Sequence, residues 1–388
     1  MMVGVGETYL PAYALSIGMG DIFAGLLTTL PLVSGAFLQL FAPAFLHKIS
    51  TYKKWVVLST FLQAITFIPL VYYTFQNAVD FWTLFLVLTL YWASGFAASP
   101  AWNYWMGRLI EVEKSQAYFA MRASVSQVGI LLGLILGGVA LHNKVELGPV
   151  TSVFSLLFVF AFLCRLLSTW LLSKQHFSMQ WQTPQPLKFY QSWQIFWQNQ
   201  EKRQFFLKLI PFQIAVFTTG PFVGPFMLSQ LKLSYSQFMI SIAMLFLGKM
   251  ITLRILQNKN TSGLKLFLLG AALISVLPLG WLFSSHYYWV VFLQFISGLF
   301  WACVEVGLSL IFFRDMSDQE KVPLMTIYNF LNAVAIVVGT GLGAGILYYG
   351  QSSLGSYYYL FAIGSFGRIL FAAILHKDFS HQKQLKGM

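Results

Sequence analysis

Long apolar segments follow one another along almost the whole chain, and short polar stretches separate them. The segments lack the strict alternation of barrel strands and run about twice the roughly 10 residues that such strands need. Because a sheet edge leaves backbone groups unpaired in lipid, the pattern predicts membrane-spanning helices. We place twelve of them at about 2–18, 22–46, 55–75, 81–107, 118–141, 150–173, 204–229, 236–257, 264–284, 288–312, 323–348 and 355–376.

The composition agrees with this pattern. Of the 388 residues, 57% are hydrophobic and 9% are charged. Soluble domains carry roughly 25% charged residues, so the composition excludes a water-soluble protein. Cys164 and Cys303 both lie in apolar runs and offer no disulfide framework. The sequence therefore predicts an all-α polytopic membrane protein.

The longest polar stretch separates six predicted helices from six others. The first segment is short and Glu7 interrupts it, so we expect a truncated first helix whose true start lies upstream of Met1. A short helix that simply begins in the membrane is the alternative. The predicted organisation is an N-terminal six-helix bundle over 1–173, a cytoplasmic linker over 174–203, a C-terminal six-helix bundle over 204–376 and a cytoplasmic tail over 377–388.

The linker carries aromatic residues at helical spacing. Phe189, Trp193 and Trp197 recur at i, i+4 and i+8. This spacing predicts an amphipathic helix on the inner leaflet, and a plain tether between the halves is the alternative.

The lysines and arginines set the orientation. With the amino terminus inside, the predicted outer loops hold only Lys144 and Lys232 of the 24 Lys and Arg. Cytoplasmic loops carry the excess of positive charge, so we predict that both termini are cytoplasmic. This placement explains the net charge of +12 without a nucleic-acid partner. The composition and the absence of organellar targeting signals favour the bacterial cytoplasmic (inner) membrane.

The two halves of the sequence repeat each other. Residues 6–11 read GETYLP, and residues 220–225 read GPFVGP. Arg165 precedes Lys174 by nine residues, as Arg368 precedes Lys377. Two parallel six-helix repeats are typical of secondary transporters. Both halves also carry small-residue seams that allow close helix packing, which consist of Gly129, Gly133, Gly137 and Gly138 in the fifth segment and Gly339, Gly341, Gly343 and Gly345 in the eleventh.

The chain resembles the major facilitator superfamily over essentially its whole length. The resemblance rests on the layout of six and six helices, the linker, and the loop after the fourth segment, where 100–108 reads PAWNYWMGR and 114–122 reads KSQAYFAMR. The loop at 47–54 keeps the basic residues that the family expects but lacks the Asp and Gly of its usual gating relay. The glycines of the fifth segment resemble the antiporter signature, with Leu134 in place of a Pro.

The resemblance implies two pseudo-symmetric six-helix bundles, a monomer, and a cavity lined by helices 1, 4, 7 and 10. It places Glu7 and Glu305 at that cavity, where a carboxylate could load and release a proton as the cavity alternates between the two sides. We therefore predict these two residues as the proton-coupling or substrate-binding groups. The alternative is a carboxylate held in a polar contact between helices, with Lys249 or Arg122 as its partner.

Several polar and aromatic residues fall on the predicted cavity helices, and an aromatic-rich cavity suits an amphipathic or weakly charged organic solute. Packing is the alternative role for any single aromatic residue. The cavity candidates are Tyr9, Trp92, Trp102, Asn103, Gln213, Thr218 and Trp301, with Asn329 and Asn332 on the eleventh helix. The candidates for a cytoplasmic gate are Lys53, Lys54, Arg108, Arg122, Lys249 and Arg254. We expect Arg165 and Arg368 to reach the interface by snorkelling and to be structural.

These features predict a proton-coupled secondary active transporter of a small organic solute that works by alternating access and needs no cofactor or metal. Its partners are the solute, protons and the lipid bilayer. A lipid or lysolipid flippase of the same fold is one alternative, and a non-transporting membrane receptor is another. An enzyme is disfavoured, because the six histidines fall in loops or at helix ends and no Gly-rich phosphate loop is present.

Overall fold

The computed structural model of the chain describes residues 1–39, 49, 51–76, 79–109, 112–143, 152–175, 189–256, 261–313 and 318–386. The regular elements of this part are helices. They form two compact units: the first consists of residues 1–184 with 234–239, and the second of residues 185–233 with 240–388.

The first unit begins with a broken helix. Two α-helices, α1 (Met2–Val5) and α2 (Leu10–Ser16), flank a 3₁₀ turn at Glu7–Tyr9. Glycines with positive φ, Gly18 and Gly20, then turn the chain. The helices that follow are α3 (Gly20–Gln39), α4 (Tyr52–Ile65), α5 (Phe67–Gln76), α6 (Phe81–Leu109), α7 (Val112–His142) and α8 (Val153–Ser173).

The second unit also begins with a broken helix, after the short α9 (Phe189–Gln198). Helix α10 (Gln200–Thr219) leads into a 3₁₀ turn at Gly220–Phe222, the short α11 (Val223–Pro225) and a π-helical turn at Phe226–Gln230. Pro221 and Pro225 have no backbone N–H to donate, which favours a break here. The remaining helices are α12 (Tyr235–Leu256), α13 (Gly263–Phe283), α14 (Tyr287–Phe313), α15 (Asp318–Tyr349) and α16 (Leu354–Lys386).

Polar side chains cap the starts of several helices. Thr51 and Asn199 accept hydrogen bonds from backbone N–H groups at the starts of α4 and α10. At the start of α6, the Thr83 hydroxyl and backbone N–H both donate to the Asp80 carboxylate. These hydrogen bonds lower the pKa of Asp80 below its ordinary value. Side-chain caps of this kind satisfy N–H groups that the helix itself leaves free.

Among the described residues, eleven helices are long and apolar enough to cross a membrane. The all-α, membrane-spanning fold predicted from the sequence is thereby confirmed. The count of twelve is not, because the first predicted segment consists of the short pieces α1 and α2 around the turn at Glu7.

The glycine seams allow helices to approach each other closely in both units. In the first unit, Gly133 lies against the Met1 backbone and Gly137 against the Tyr9 ring, so neither has room for a methyl group. In the second unit, Gly339 and Gly343 of α15 lie against the backbone of α10 in the same way. The seam predicted from sequence is therefore confirmed at these four positions. Gly341 and Gly345 border open space instead.

The described aromatic side chains of α9 divide between the protein core and the surface, where Tyr190 and Trp197 are exposed. Phe196 is 1% exposed and belongs to the apolar core of the second unit, and Trp193 packs against the same core. Trp197 remains exposed, and the Arg203 guanidinium lies 5.0 Å from its ring centroid. Trp193 thus packs partly against protein core, and the placement of this helix on the inner leaflet stays a prediction. The side chain of Phe189 lies outside the described part.

Candidate functional site

Glu7 forms the centre of a partly buried polar cluster in the first unit. The break between α1 and α2 places it in a 3₁₀ turn rather than in a regular helix. Tyr91 of α6 donates its hydroxyl hydrogen to Glu7 Oε1. Tyr91 is 1% exposed, and the Phe67 ring packs edge-on against it at 5.5 Å. Glu7 is therefore held by a specific donor in an apolar surrounding.

Arg165 of α8 completes this cluster. Its charge interacts electrostatically with both Glu7 and Tyr91. The Nε atom of Arg165 is buried and has no hydrogen-bond partner among the described residues. Arg165 is partly buried and interacts with Glu7 inside the unit, which argues against the expectation that its side chain extends to the membrane interface.

A cavity of about 820 Å³ lies beside the cluster, within the first unit. Arg165 forms part of its wall, together with polar groups such as Thr60, Ser126 and Ser168. Trp102 and Arg122 also line it, and the Arg122 guanidinium lies 3.9 Å from the Trp102 ring centroid. The cavity thus combines two cations, several hydroxyl groups and an aromatic surface.

Glu305 has a different environment in the second unit. Its Oε1 lies 2.6 Å from Lys249 Nζ, and the two side chains are 55% and 23% exposed. Helices α12 and α14, which carry them, approach closely where Gly248 and Gly298 each lie against the backbone of the other helix. Sequence reasoning named this ion pair as the alternative to a proton site, and the structure brings the two residues together.

The other cavity candidates occupy varied positions. Tyr9 is fully buried and donates to the Leu134 carbonyl at 2.6 Å. Gln213 donates to the Tyr328 hydroxyl at 2.8 Å, and its own Oε1 is buried without a partner in the described part of the chain. Thr218 donates to the Ile214 carbonyl in its own helix.

The remaining candidates make fewer contacts. Trp92 is partly buried and stacks on Phe96 at 5.5 Å. Asn332 is partly buried and Asn329 is exposed. Trp301 lines a cavity in the second unit, as described below. The side chains of Asn103 and Arg108 lie outside the described residues.

The predicted gate residues lie mostly at exposed helix ends. Lys53 donates to the Gln175 carbonyl at 2.6 Å and thereby links the start of α4 to the segment after α8. Lys54, Arg122 and Arg254 are exposed. Their role as a gate stays a prediction.

A second cavity, of about 320 Å³, lies within the second unit. Arg368 of α16 forms part of its wall, together with Gly220, Gly224, Gln294, Trp281 and Trp301. Arg368 is only 4% exposed, so it does not reach the interface as the sequence had led us to expect.

The Arg368 guanidinium is bound by main-chain oxygens. Nε donates to the Ala215 carbonyl at 3.4 Å, Nη1 to the Ile274 carbonyl at 3.2 Å and Nη2 to the Val216 carbonyl at 3.0 Å. Nη2 also donates to the Thr219 hydroxyl. Arg368 therefore holds the last turn of α10, directly before the break at Gly220.

Sequence reasoning missed two features of these sites. It did not single out Tyr91, which looked like one more aromatic residue beside Trp92. It treated Arg165 and Arg368 as interface residues, although their equivalent positions in the repeat were a usable signal. Among the described residues, no group of three or more His, Cys, Asp or Glu could hold a metal ion.

Comparison with known proteins gives a consistent result. The sequence model of the Major Facilitator Superfamily matches residues 2–340. The solved nucleoside transporter NupG superposes with a TM-score of 0.73 at 12% identity, over 97% of this chain and 96% of that chain. A POT family transporter in complex with a thioalcohol-conjugated peptide gives a TM-score of 0.68 at 13% identity, over 98% and 92% of the two chains. The peptide transporter POT gives a TM-score of 0.65 at 14% identity, over 97% of this chain and 90% of that chain. No curated protein matches the sequence. At these identities the likeness shows a shared fold.

Proposed function

The chain belongs to the Major Facilitator Superfamily, and from this premise we propose that it is a proton-coupled secondary active transporter of a small organic solute. In this proposal its two six-helix halves alternate access to the two sides of the membrane. The observation that carries the proposal is the partly buried hydrogen bond from Tyr91 to Glu7 beside Arg165.

The cluster offers two states for one proton. When Glu7 is ionised, the charge of Arg165 balances it and the Tyr91 hydroxyl donates to it. When Glu7 is protonated, it carries no charge, and the positive charge of Arg165 is left without its counterion. An uncompensated charge inside a membrane protein is costly, so protonation favours the arrival of another acceptor at Arg165.

The neighbouring cavity supplies the place for that acceptor. Its volume of about 820 Å³ falls within the range of pockets that bind small organic molecules. An acceptor group of the solute that reaches Arg165 competes with ionised Glu7 for the same guanidinium. This competition couples solute binding to proton binding. The surface of Trp102 suits an apolar or aromatic part of the solute.

The experiment measures proton movement in proteoliposomes that contain the purified protein and a pH-sensitive dye. The solute panel includes nucleosides and short peptides, because the similarly folded proteins are described as a nucleoside transporter and a peptide transporter. Three proteins are compared: wild type, Glu7→Gln and the matched Glu305→Gln. Each variant replaces one carboxylate by the amide of nearly the same shape.

We expect solute-dependent proton movement in wild type, its loss in Glu7→Gln, and its retention in Glu305→Gln. Solute exchange without net proton movement is expected to persist in Glu7→Gln, because exchange needs no change of protonation. If Glu305→Gln lost solute-dependent proton movement and Glu7→Gln kept it, the coupling site would lie in the second unit. Solute flux in wild type without proton movement would refute proton coupling. If no solute moves, translocation of a fluorescent lysolipid tests the flippase alternative.

A further inference from the structure

The two repeat-related arginines differ in what balances their charge. Each lies on the last long helix of its unit and next to the broken first helix of that unit. In the first unit the charge of Arg165 interacts electrostatically with the carboxylate of Glu7. The motifs GETYLP and GPFVGP align Glu7 with Pro221. The second unit therefore has no carboxylate at the position that supplies the counterion in the first.

No other acidic side chain that the structure describes replaces it. In the second unit the described acidic side chain is Glu305, and it is paired with Lys249. Arg368 nevertheless is 4% exposed. A buried guanidinium without a counterion is costly, and more so inside a membrane.

The main chain compensates this charge in part. The carbonyls of Ala215 and Val216 belong to the last turn of α10, which is the negative end of the helix dipole. A guanidinium has five N–H groups. The hydrogen bonds of Arg368 use Nε, both N–H groups of Nη2 and one of Nη1. One N–H of Nη1 is left without a partner among the described residues.

Open space lies next to Arg368, on the side of the helix break. A Cβ atom added at Gly220 or at Gly224 would have no atom within 4 Å. Both glycines and Arg368 line the cavity of about 320 Å³, which is large enough for a small ligand. The rest of its wall is mainly apolar and includes the rings of Trp281 and Trp301.

We propose that this cavity binds a small organic carboxylate with an aromatic or apolar body, whose carboxylate supplies to Arg368 the counterion that Glu7 supplies to Arg165. Gln294, which is 4% exposed and lines the same cavity, offers an amide as a further polar contact. The site goes beyond the proposed transport function, because binding here requires neither Glu7 nor proton movement.

The test is a binding measurement on the purified full-length protein in detergent, without any gradient. Equilibrium dialysis compares radiolabelled 3-phenylpropionate with 3-phenylpropionamide, which has nearly the same shape and no charge. We expect the carboxylate to bind about tenfold or more tightly than the amide, because hydrogen bonds to charged groups are the stronger ones. Equal binding of the two probes, or no binding of the carboxylate, would overturn the proposal.

Two variants locate the site. Gly224→Leu fills the cavity without removing Arg368, and we expect it to weaken binding about tenfold or more. Gly341→Leu is the matched control, since Gly341 also borders open space but does not line the cavity. Arg368→Gln is expected to abolish the preference for the carboxylate over the amide. If Arg368→Gln fails to fold, Gly224→Leu decides: unchanged binding in that variant contradicts the proposal.

Discussion

Tyr9 and Tyr13 lie four residues apart in the first unit, and both side chains are almost completely buried, at 0% and 2% exposure. The Tyr9 hydroxyl donates to the Leu134 carbonyl at 2.6 Å. The Tyr13 hydroxyl is buried without a hydrogen-bond partner among the described residues. The sequence alone does not distinguish the two tyrosines, because the partner of the Tyr9 hydroxyl lies on another helix, 125 residues away.

This difference predicts opposite results for the same substitution. Tyr9→Phe removes a hydrogen bond between helices and should lower the free energy of unfolding by about 1 kcal/mol. Tyr13→Phe removes a buried polar group that has no partner, so stability should stay unchanged or rise. Unfolding in detergent, followed by circular dichroism during denaturant titration, measures both. Equal destabilisation by the two substitutions would contradict the assignment of the Tyr9 hydrogen bond.

At the scale of elements, close packing of helices depends on which glycines face a neighbour. Gly339 and Gly343 lie on one face of α15 and meet α10, whereas Gly341 and Gly345 meet nothing within 4 Å. The sequence predicted a seam of four glycines in this helix. Only packing could show that two of them form the contact, since a helix turns by about 100° per residue and places alternate positions on different faces.

We therefore expect alanine to act differently at these positions. Gly343→Ala places a methyl group against the Thr218 carbonyl and the Phe222 ring, which should cost about 1–3 kcal/mol of stability. Gly341→Ala should be neutral or stabilise by up to about 1 kcal/mol, because alanine favours the helix over glycine. Thermal unfolding of the two variants in the same detergent makes the comparison. A stable Gly343→Ala variant would show that α15 and α10 can separate at little cost.

The broken helices show a second limit of prediction at this scale. The sequence identified the matching motifs at 6–11 and 220–225, but the segments 2–18 and 204–229 that contain them were each predicted as one helix. It did not reveal the 3₁₀ turns that begin at Glu7 and Gly220. Such turns depend on partners that lie on other helices, as Tyr91 does for Glu7 and Arg368 for the end of α10.

At the scale of the whole molecule, the sequence predicts an orientation that labelling can test. Lys232 falls in a predicted outer loop and Lys174 in a predicted inner one. In a background with Cys164→Ser and Cys303→Ser, we expect Lys232→Cys to react with a membrane-impermeant maleimide in intact cells. Lys174→Cys should react only after permeabilisation. The reverse result would invert the predicted topology and place both termini outside.

The sequence by itself determined that the protein is an all-α membrane protein, because a run of about 20 apolar residues has few stable forms in lipid besides a helix. It also determined the resemblance of the halves and the family, since those depend on patterns that run along the chain. Only the tertiary structure decided which polar groups meet. Tyr91 is 84 residues from Glu7, and Arg368 is 152 residues from Val216. Contacts over such separations follow from how helices pack, and the spacing along any one helix does not encode them. For this reason the sequence predicted Glu7 as a functional residue but not its partners, and it missed the cavity beside Arg368.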